Sequence, residues 1–154
     1  MTTQEFKDYC DEEFTKRGFV KKKLNLYYLN TDKDILVSIY LQRSSYGGAY
    51  YINYDFYIGT YDDIKRYPTY YESDMGSRMR VLSKQTINGE RFMGALIEYE
   101  RYTLDEIKPY IEAEFEKYIM PVLTRGKQHL IDNIDHIAPG HNKTKEHILE
   151  KLNS

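Results

Sequence analysis

All four histidines lie between His129 and His147, in a stretch that also carries Asp132 and Asp135. Imidazoles and carboxylates are common ligands of divalent ions. On a helix, His129, Asp132 and His136 would share one arc, opposite Leu130, Ile131, Ile134 and Ile137. Such an arc would suit a metal-dependent hydrolase or nuclease. The same spacing describes a plain solvated helix face, and no H-E-x-x-H or comparable zinc motif is present. The sole cysteine, Cys10, falls on the apolar stripe Phe6, Cys10, Phe14. That spacing predicts packing, since a reactive thiol needs an exposed electropositive setting. Asp62 and Asp63 are adjacent, so their carboxylates point apart and make a poor acid and base pair. Phosphate-loop, nucleophile-elbow and dinucleotide glycine patterns are absent. The sequence therefore assigns no catalytic residue and calls for no cofactor.

Binding chemistry is better represented. The chain has 17 tyrosines and no tryptophan, and tyrosine combines a large apolar ring with a polar tip that suits contact surfaces. Tyr40 and Gln42, with Ser38, alternate along one segment; Tyr51, Asn53, Asp55 and Tyr57 alternate along the next. If the two segments pair, these side chains form one polar, aromatic face. Tyrosine there supplies contact area at little rotamer cost, and asparagine supplies adaptable hydrogen bonds. Tyr70 and Tyr71, in the polar stretch that follows, extend the candidate set. A second possibility is single-stranded nucleic acid, with Arg17, Lys21, Lys22 and Lys23 neutralising phosphates beside stacking tyrosines. A solvated basic edge strand explains the same lysines, which discourage sheets from joining edge to edge. The formal net charge of −2 gives no support to a dominant phosphate-binding surface.

These residues need elements to hold them. Phe6, Cys10 and Phe14 at four-residue spacing predict an amphipathic helix from about Thr3 to Arg17, closed by Gly18 and Phe19. Leu24 to Leu29 reads as a strand, with a turn at Asn30 to Lys33. Ile35, Val37, Ile39 and Leu41 alternate with mixed or polar residues, as do Tyr50, Ile52, Tyr54, Phe56 and Ile58. Gly47-Gly48 between them predicts a hairpin with Leu41 opposite Tyr54 and Gln42 opposite Asn53. Residues 60–78 read as a long loop, of the kind that is often functional. Asn88-Gly89 predicts a second hairpin, Val81 facing Leu96 and Gln85 facing Phe92. Thr103 and Glu106 form a capping box for a long helix carrying Ile107, Ile111, Phe115, Ile119 and Val122, with its regular part starting near Pro109 and a kink or break expected near Pro121. A short amphipathic stripe and a terminal helix around Ile148, Leu149 and Leu152 complete the chain.

Together these elements predict an α+β fold: an antiparallel sheet of about five strands, two hairpins plus one strand, packed by an N-terminal helix and a long C-terminal helix. At 154 residues, 30% charged and 41% hydrophobic, the chain fits a single domain spanning 1–154. No apolar run approaches a membrane span and the first residues lack signal-peptide character, so a cytoplasmic location without membrane association is expected.

Phe6 in the first helix, Gly18-Phe19 with a following lysine, Gln42-x-Ser44 at a strand end, Asn53 in the next strand, and Arg80-Val81 resemble the bacterial family catalogued as domain of unknown function 4304. The resemblance spans most of the chain. It implies a small stand-alone bacterial domain with a link to toxin and immunity gene sets, and carries no activity over. The resulting expectation is a non-enzymatic protein-interaction domain of immunity type, binding an unidentified protein partner through the hairpin face and the 60–78 loop. Self-association as a homodimer through the same face is the competing use of it.

Overall fold

The computed structural model describes residues 1–154. Helix α1 runs from Thr3 to Thr15. It opens on a capping box in which the Thr2 hydroxyl accepts the Glu5 N–H and the Glu5 carboxylate accepts the Thr2 N–H. Gly18, at φ +94°, turns the chain so that the Phe19 N–H reaches the Phe14 carbonyl. Strand β1 (Val20–Lys23) then pairs with β2 (Leu26–Asn30) across a turn in which Asn25 takes φ +66°. The lysine run therefore lies on an edge strand of the sheet.

Strand β3 (Ile35–Arg43) pairs with both β2 and β4 (Tyr50–Ile58). The connection from β3 to β4 is longer than the diglycine implied. Ser44 and Ala49 close it through a backbone hydrogen bond, so four residues form the loop and Leu41 faces Ile52 instead of Tyr54. This slip is two residues. Because side chains alternate with period two, every residue keeps its expected face.

Residues 60–78 are not a featureless loop. Two single 3-10 turns, Ile64–Arg66 and Tyr70–Glu72, precede strand β5 (Met75–Arg78), which pairs with β4. The hairpin β6 (Val81–Ile87) and β7 (Glu90–Gly94) turns at Asn88-Gly89, both with positive φ, as expected. It keeps the expected register at Ile87 and Glu90, but an irregularity brings Val81 opposite Gly94. It also forms its own two-stranded sheet outside the main one. Most of its side chains are at least partly exposed, leaving no continuous apolar face to bury.

Helix α2 starts at Leu104 on the predicted Thr103–Glu106 box and runs through Pro109 to Glu114. It widens into a π turn over Phe115–Ile119, and helix α3 (Val122–Arg125) follows Pro121, where the break was expected. Helix α4 covers Lys127–Asp132, strand β8 is the pair Ala138–Pro139 beside β5, and helix α5 covers Lys145–Leu152. The main sheet is thus six-stranded and antiparallel in the order β1-β2-β3-β4-β5-β8. The class is α+β as read. The count of about five becomes six because β1, β5 and β8 join while the second hairpin leaves.

One face of the sheet carries Ile35, Val37, Ile39, Leu41, Ile52, Tyr54 and Phe56 into a core with Phe6, Cys10 and Phe14 of α1 and Ile107, Ile111 and Phe115 of the C-terminal helices. Each such aliphatic or aromatic side chain contributes about 1.5–3 kcal/mol through burial. The Phe14 ring lies edge-on to Tyr27 at 5.1 Å and 5.7 Å from Phe115, locking the two helical layers to the sheet. No helix is long and apolar enough to cross a membrane.

Candidate functional site

The opposite face of the sheet carries Tyr28 from β2, Leu36, Ser38, Tyr40 and Gln42 from β3, and Tyr51, Asn53, Asp55 and Tyr57 from β4. Their cross-strand partners follow the ladder: Ser38 opposite Asp55, Tyr40 opposite Asn53, Gln42 opposite Tyr51. Half of this face is closed by residues 60–73, which lie over it as a strap. The side chains beneath supply the hydrogen bonds that an irregular backbone lacks. Tyr28 donates to the Pro68 carbonyl, Tyr57 to Thr69 at 3.0 Å, Asn30 to Tyr61 at 2.6 Å, and the Lys22 ammonium to Tyr67 at 2.9 Å. Tyr61 and Tyr67 pack their rings onto Tyr28, Leu36 and Tyr57, making a second small core. This is one physical reason for the tyrosine excess: the four rings fill the space between sheet and strap, and the Tyr28 and Tyr57 hydroxyls each satisfy a strap carbonyl. It also moves Tyr57 off the contact surface. Tyr57 is buried, its hydroxyl shared between Thr69 and Ser38, because the 60–73 segment covers its end of β4.

Toward the end of the strap, where it contributes Tyr70 and Tyr71, the rest of the face is open. Tyr40 stacks on Tyr70 at 4.4 Å and 13°, and Tyr70 lies 4.1 Å from Tyr71, whose ring is 70% exposed. Beside them the Asn53 amide donates to Gln42 Oε1 at 3.1 Å. Arg78 of β5, opposite Asn53, donates to Asn53 Oδ1 at 3.0 Å and Gln42 Oε1 at 3.2 Å, and its guanidinium lies 3.9 Å from the centre of the Tyr51 ring. Seven of the eight residues singled out on the sequence therefore meet on one surface: Tyr40, Gln42, Tyr51, Asn53, Asp55, Tyr70 and Tyr71. Arg78 was missed. Its signal was the alternation Arg78-Met79-Arg80, an apolar residue between two long cations, which reads as a strand end with both arginines displaced from the core.

Asp55 sits where the strap meets the open surface. Its carboxylate accepts one hydrogen bond, from the Ser73 hydroxyl at 2.8 Å. Burial raises its pKa to about 7, against the Ser73 bond that favours the anion. Room for it is made by Gly76, where a Cβ would lie 2.1 Å from Asp55 Oδ1 and 2.8 Å from the Tyr54 carbonyl. Strand β8 covers β5 only at Met75 and Gly76, so Ser77 and Arg78 border a groove of about 420 Å³ that also touches Asn53 and Asp55.

The remaining candidates separate. His129 is buried with Nε2 2.6 Å from the Tyr118 carbonyl, Asp132 pairs with Arg125 at the surface, and His136 stacks on Tyr118 at 3.7 Å. The expected common arc fails because α4 ends at Asp132, so His136 is not carried on the same helical face. Cys10 is buried, and burial pushes its thiol up, with Glu13 and Asp11 adding to the effect. Asp63 accepts the Lys65 N–H as the cap of a 3-10 turn, while Asp62 is exposed. In the basic cluster, Arg17 pairs with Glu13, Lys21 lies 3.8 Å from Asp11, and Lys22 holds the strap.

A protein-family model described as domain of unknown function (DUF4304) matches residues 10–125. No curated protein and no solved structure matches the chain.

Proposed function

We propose that this chain, which belongs to the DUF4304 family, is a non-enzymatic interaction domain that binds a protein partner through the open half of its second sheet face. The observation that carries the reading is the fixed aromatic and polar array Tyr71, Tyr70, Tyr40, Asn53, Arg78, Tyr51, held by ring stacking and a shared Gln42 acceptor. Tyrosine and arginine dominate the energetics of protein interfaces, and side chains already held in place lose less entropy on binding. A partner would lay an apolar side chain against the tyrosines and an acidic or carbonyl group toward Arg78. An immunity-type role, in which the partner is a toxin neutralised by this contact, is the specific form of the proposal that the family resemblance suggests.

The test is quantitative affinity capture with the wild-type protein and with a triple variant, Tyr51→Ala, Asn53→Ala and Tyr71→Ala, matched for folding by thermal melting. A stoichiometric partner that is lost with the variant supports the reading. A partner retained undiminished by the variant contradicts it. Light-scattering mass distinguishes a second copy of the chain from a different protein. A dimer that the variant dissociates would assign the surface to self-association.

A further inference from the structure

On the core side of the same sheet edge, Tyr54, Glu114 and His136 form a hydrogen-bonded group. The Tyr54 hydroxyl lies 3.3 Å from both Glu114 Oε2 and His136 Nε2. Glu114 Oε1 accepts the main-chain N–H of Arg80 at 3.2 Å. Glu114 is buried and both its oxygens are engaged. Burial raises its pKa, against the bonds from Arg80 N–H and Tyr54. Two cations stand near this carboxyl and also favour its anion.

Those cations are Arg80 and Lys117. Both side chains are exposed, and neither takes part in an ion pair. The Lys117 ammonium lies 5.2 Å from the centre of the Tyr118 ring. Both act on one imidazole: the His136 pKa is lowered by burial first and then by the charges of Arg80 and Lys117. Arg80, Lys117 and His136 also line a single cavity of about 350 Å³, whose other walls are Met93, Tyr110, Ala113, Tyr118 and Glu114, the last with both carboxylate oxygens already engaged by Tyr54 and the Arg80 N–H. The π turn at Phe115–Ile119 contributes Lys117 and Tyr118, and its Tyr118 ring lies flat on His136 at 10°. Such turns recur at functional positions.

Two unpaired cations around a half-apolar cavity make a local field suited to a small anion, although the net charge of the chain is −2. We propose that this cavity binds a phosphate monoester with a flat apolar body. Its oxygens would meet Arg80, Lys117 and a ring N–H of His136, and its body would lie against Met93, Tyr110 and Tyr118. Three donors on different segments match the three terminal oxygens of a phosphate better than the two of a carboxylate. Arg80 and His136 also line the groove beside Asn53, Asp55 and Arg78, but the anion site does not depend on the interaction reading.

Phenyl phosphate is the probe, followed by NMR of the His136 ring in the full chain, with His136→Asn used for assignment. Binding supplies an anion to an imidazole otherwise surrounded by Arg80, Lys117, Tyr54, Tyr118 and Glu114, so the His136 pKa should rise by about one pH unit and saturate with ligand. Arg80→Gln and Lys117→Gln should each weaken binding about fivefold or more, and the double variant should abolish the shift. Both substitutions leave the Arg80 main-chain bond to Glu114 in place, and unchanged melting temperatures would establish that the variants are folded. The proposal is overturned if about 10 mM phenyl phosphate gives no saturable shift, or if the double variant responds like the wild type. Benzoate binding as tightly as phenyl phosphate would overturn the choice of phosphate. Inorganic phosphate binding as tightly would overturn the apolar half of the site.

Discussion

Replacing Asp55 by asparagine should make the protein more stable at alkaline pH and leave it unchanged in acid. The wild-type carboxyl titrates at about 7 in the folded state, because it is half-buried with a single hydrogen bond from Ser73; its unfolded value is about 3.9. Between those values the unfolded chain has released the proton and the folded chain retains it. Wild-type stability therefore falls as pH rises through this window. At about 1.4 kcal/mol for each pH unit separating the two states, the full effect is at most about 4 kcal/mol. Water reaching the rim of the groove reduces it, and about 2 kcal/mol is the expected gain for Asp55→Asn at about pH 8. The amide retains size, shape and an oxygen to accept from Ser73. Urea denaturation of both proteins at about pH 4.5, 6 and 8, followed by far-ultraviolet circular dichroism, isolates this group, because other titrating residues are common to both. An Asp55→Asn protein less stable than wild type at alkaline pH, or a difference that does not change with pH, would refute the reasoning.

Other positions give independent expectations. Gly76→Ala should lose about 2 kcal/mol or more in the same denaturation experiment, since its Cβ would meet both the Asp55 carboxylate and the Tyr54 carbonyl. Asp74→Ala should cost about 3 kcal/mol, because the buried carboxylate accepts the Ile58 N–H at 2.6 Å and the Lys143 and Lys151 ammonium groups at 2.9 Å. Burial opposes ionisation of Asp74, but those three donors outweigh it and hold its pKa low, so its contribution is present above about pH 4 and lost as pH falls below that, measurable by acid titration of circular dichroism. Tyr57→Phe should cost about 1–2 kcal/mol, leaving the Thr69 carbonyl and Ser38 short of a partner, whereas Tyr71→Ala should change stability by less than about 0.5 kcal/mol while weakening partner binding at least about tenfold.

The parts of the fold visible in the residues are those with long periodic patterns. Ile35 to Leu41 and Tyr50 to Ile58 alternate strictly enough that a two-residue error in turn length changed no facing. Five of the seven open-face residues, Tyr40, Gln42, Tyr51, Asn53 and Asp55, followed from that parity, while Tyr70 and Tyr71 came from the tyrosine content of the next segment. Strand β5 escaped because Met75-Gly76-Ser77-Arg78 has one large apolar residue, and its glycine is required by the Asp55 side chain across the ladder. Strand β8 is two residues long and contains Pro139, too little for any periodicity. The burial of Tyr57 depends on the 60–73 strap, whose tyrosines follow no local period and find their partners across more than ten residues of sequence. Likewise the Tyr54, Glu114, His136 group joins a strand, a helix and a turn with separations of 60 and 82 residues. Local pattern contains no signal for such contacts.

The most direct test of the interaction reading is amide hydrogen exchange on the chain alone and bound to the partner recovered by affinity capture. New protection should fall on Tyr51 to Asp55 and Tyr70 to Arg78, where the open half of the sheet face meets the strap. Protection confined to the β1 edge, to α5 or to the β6–β7 hairpin would contradict the account.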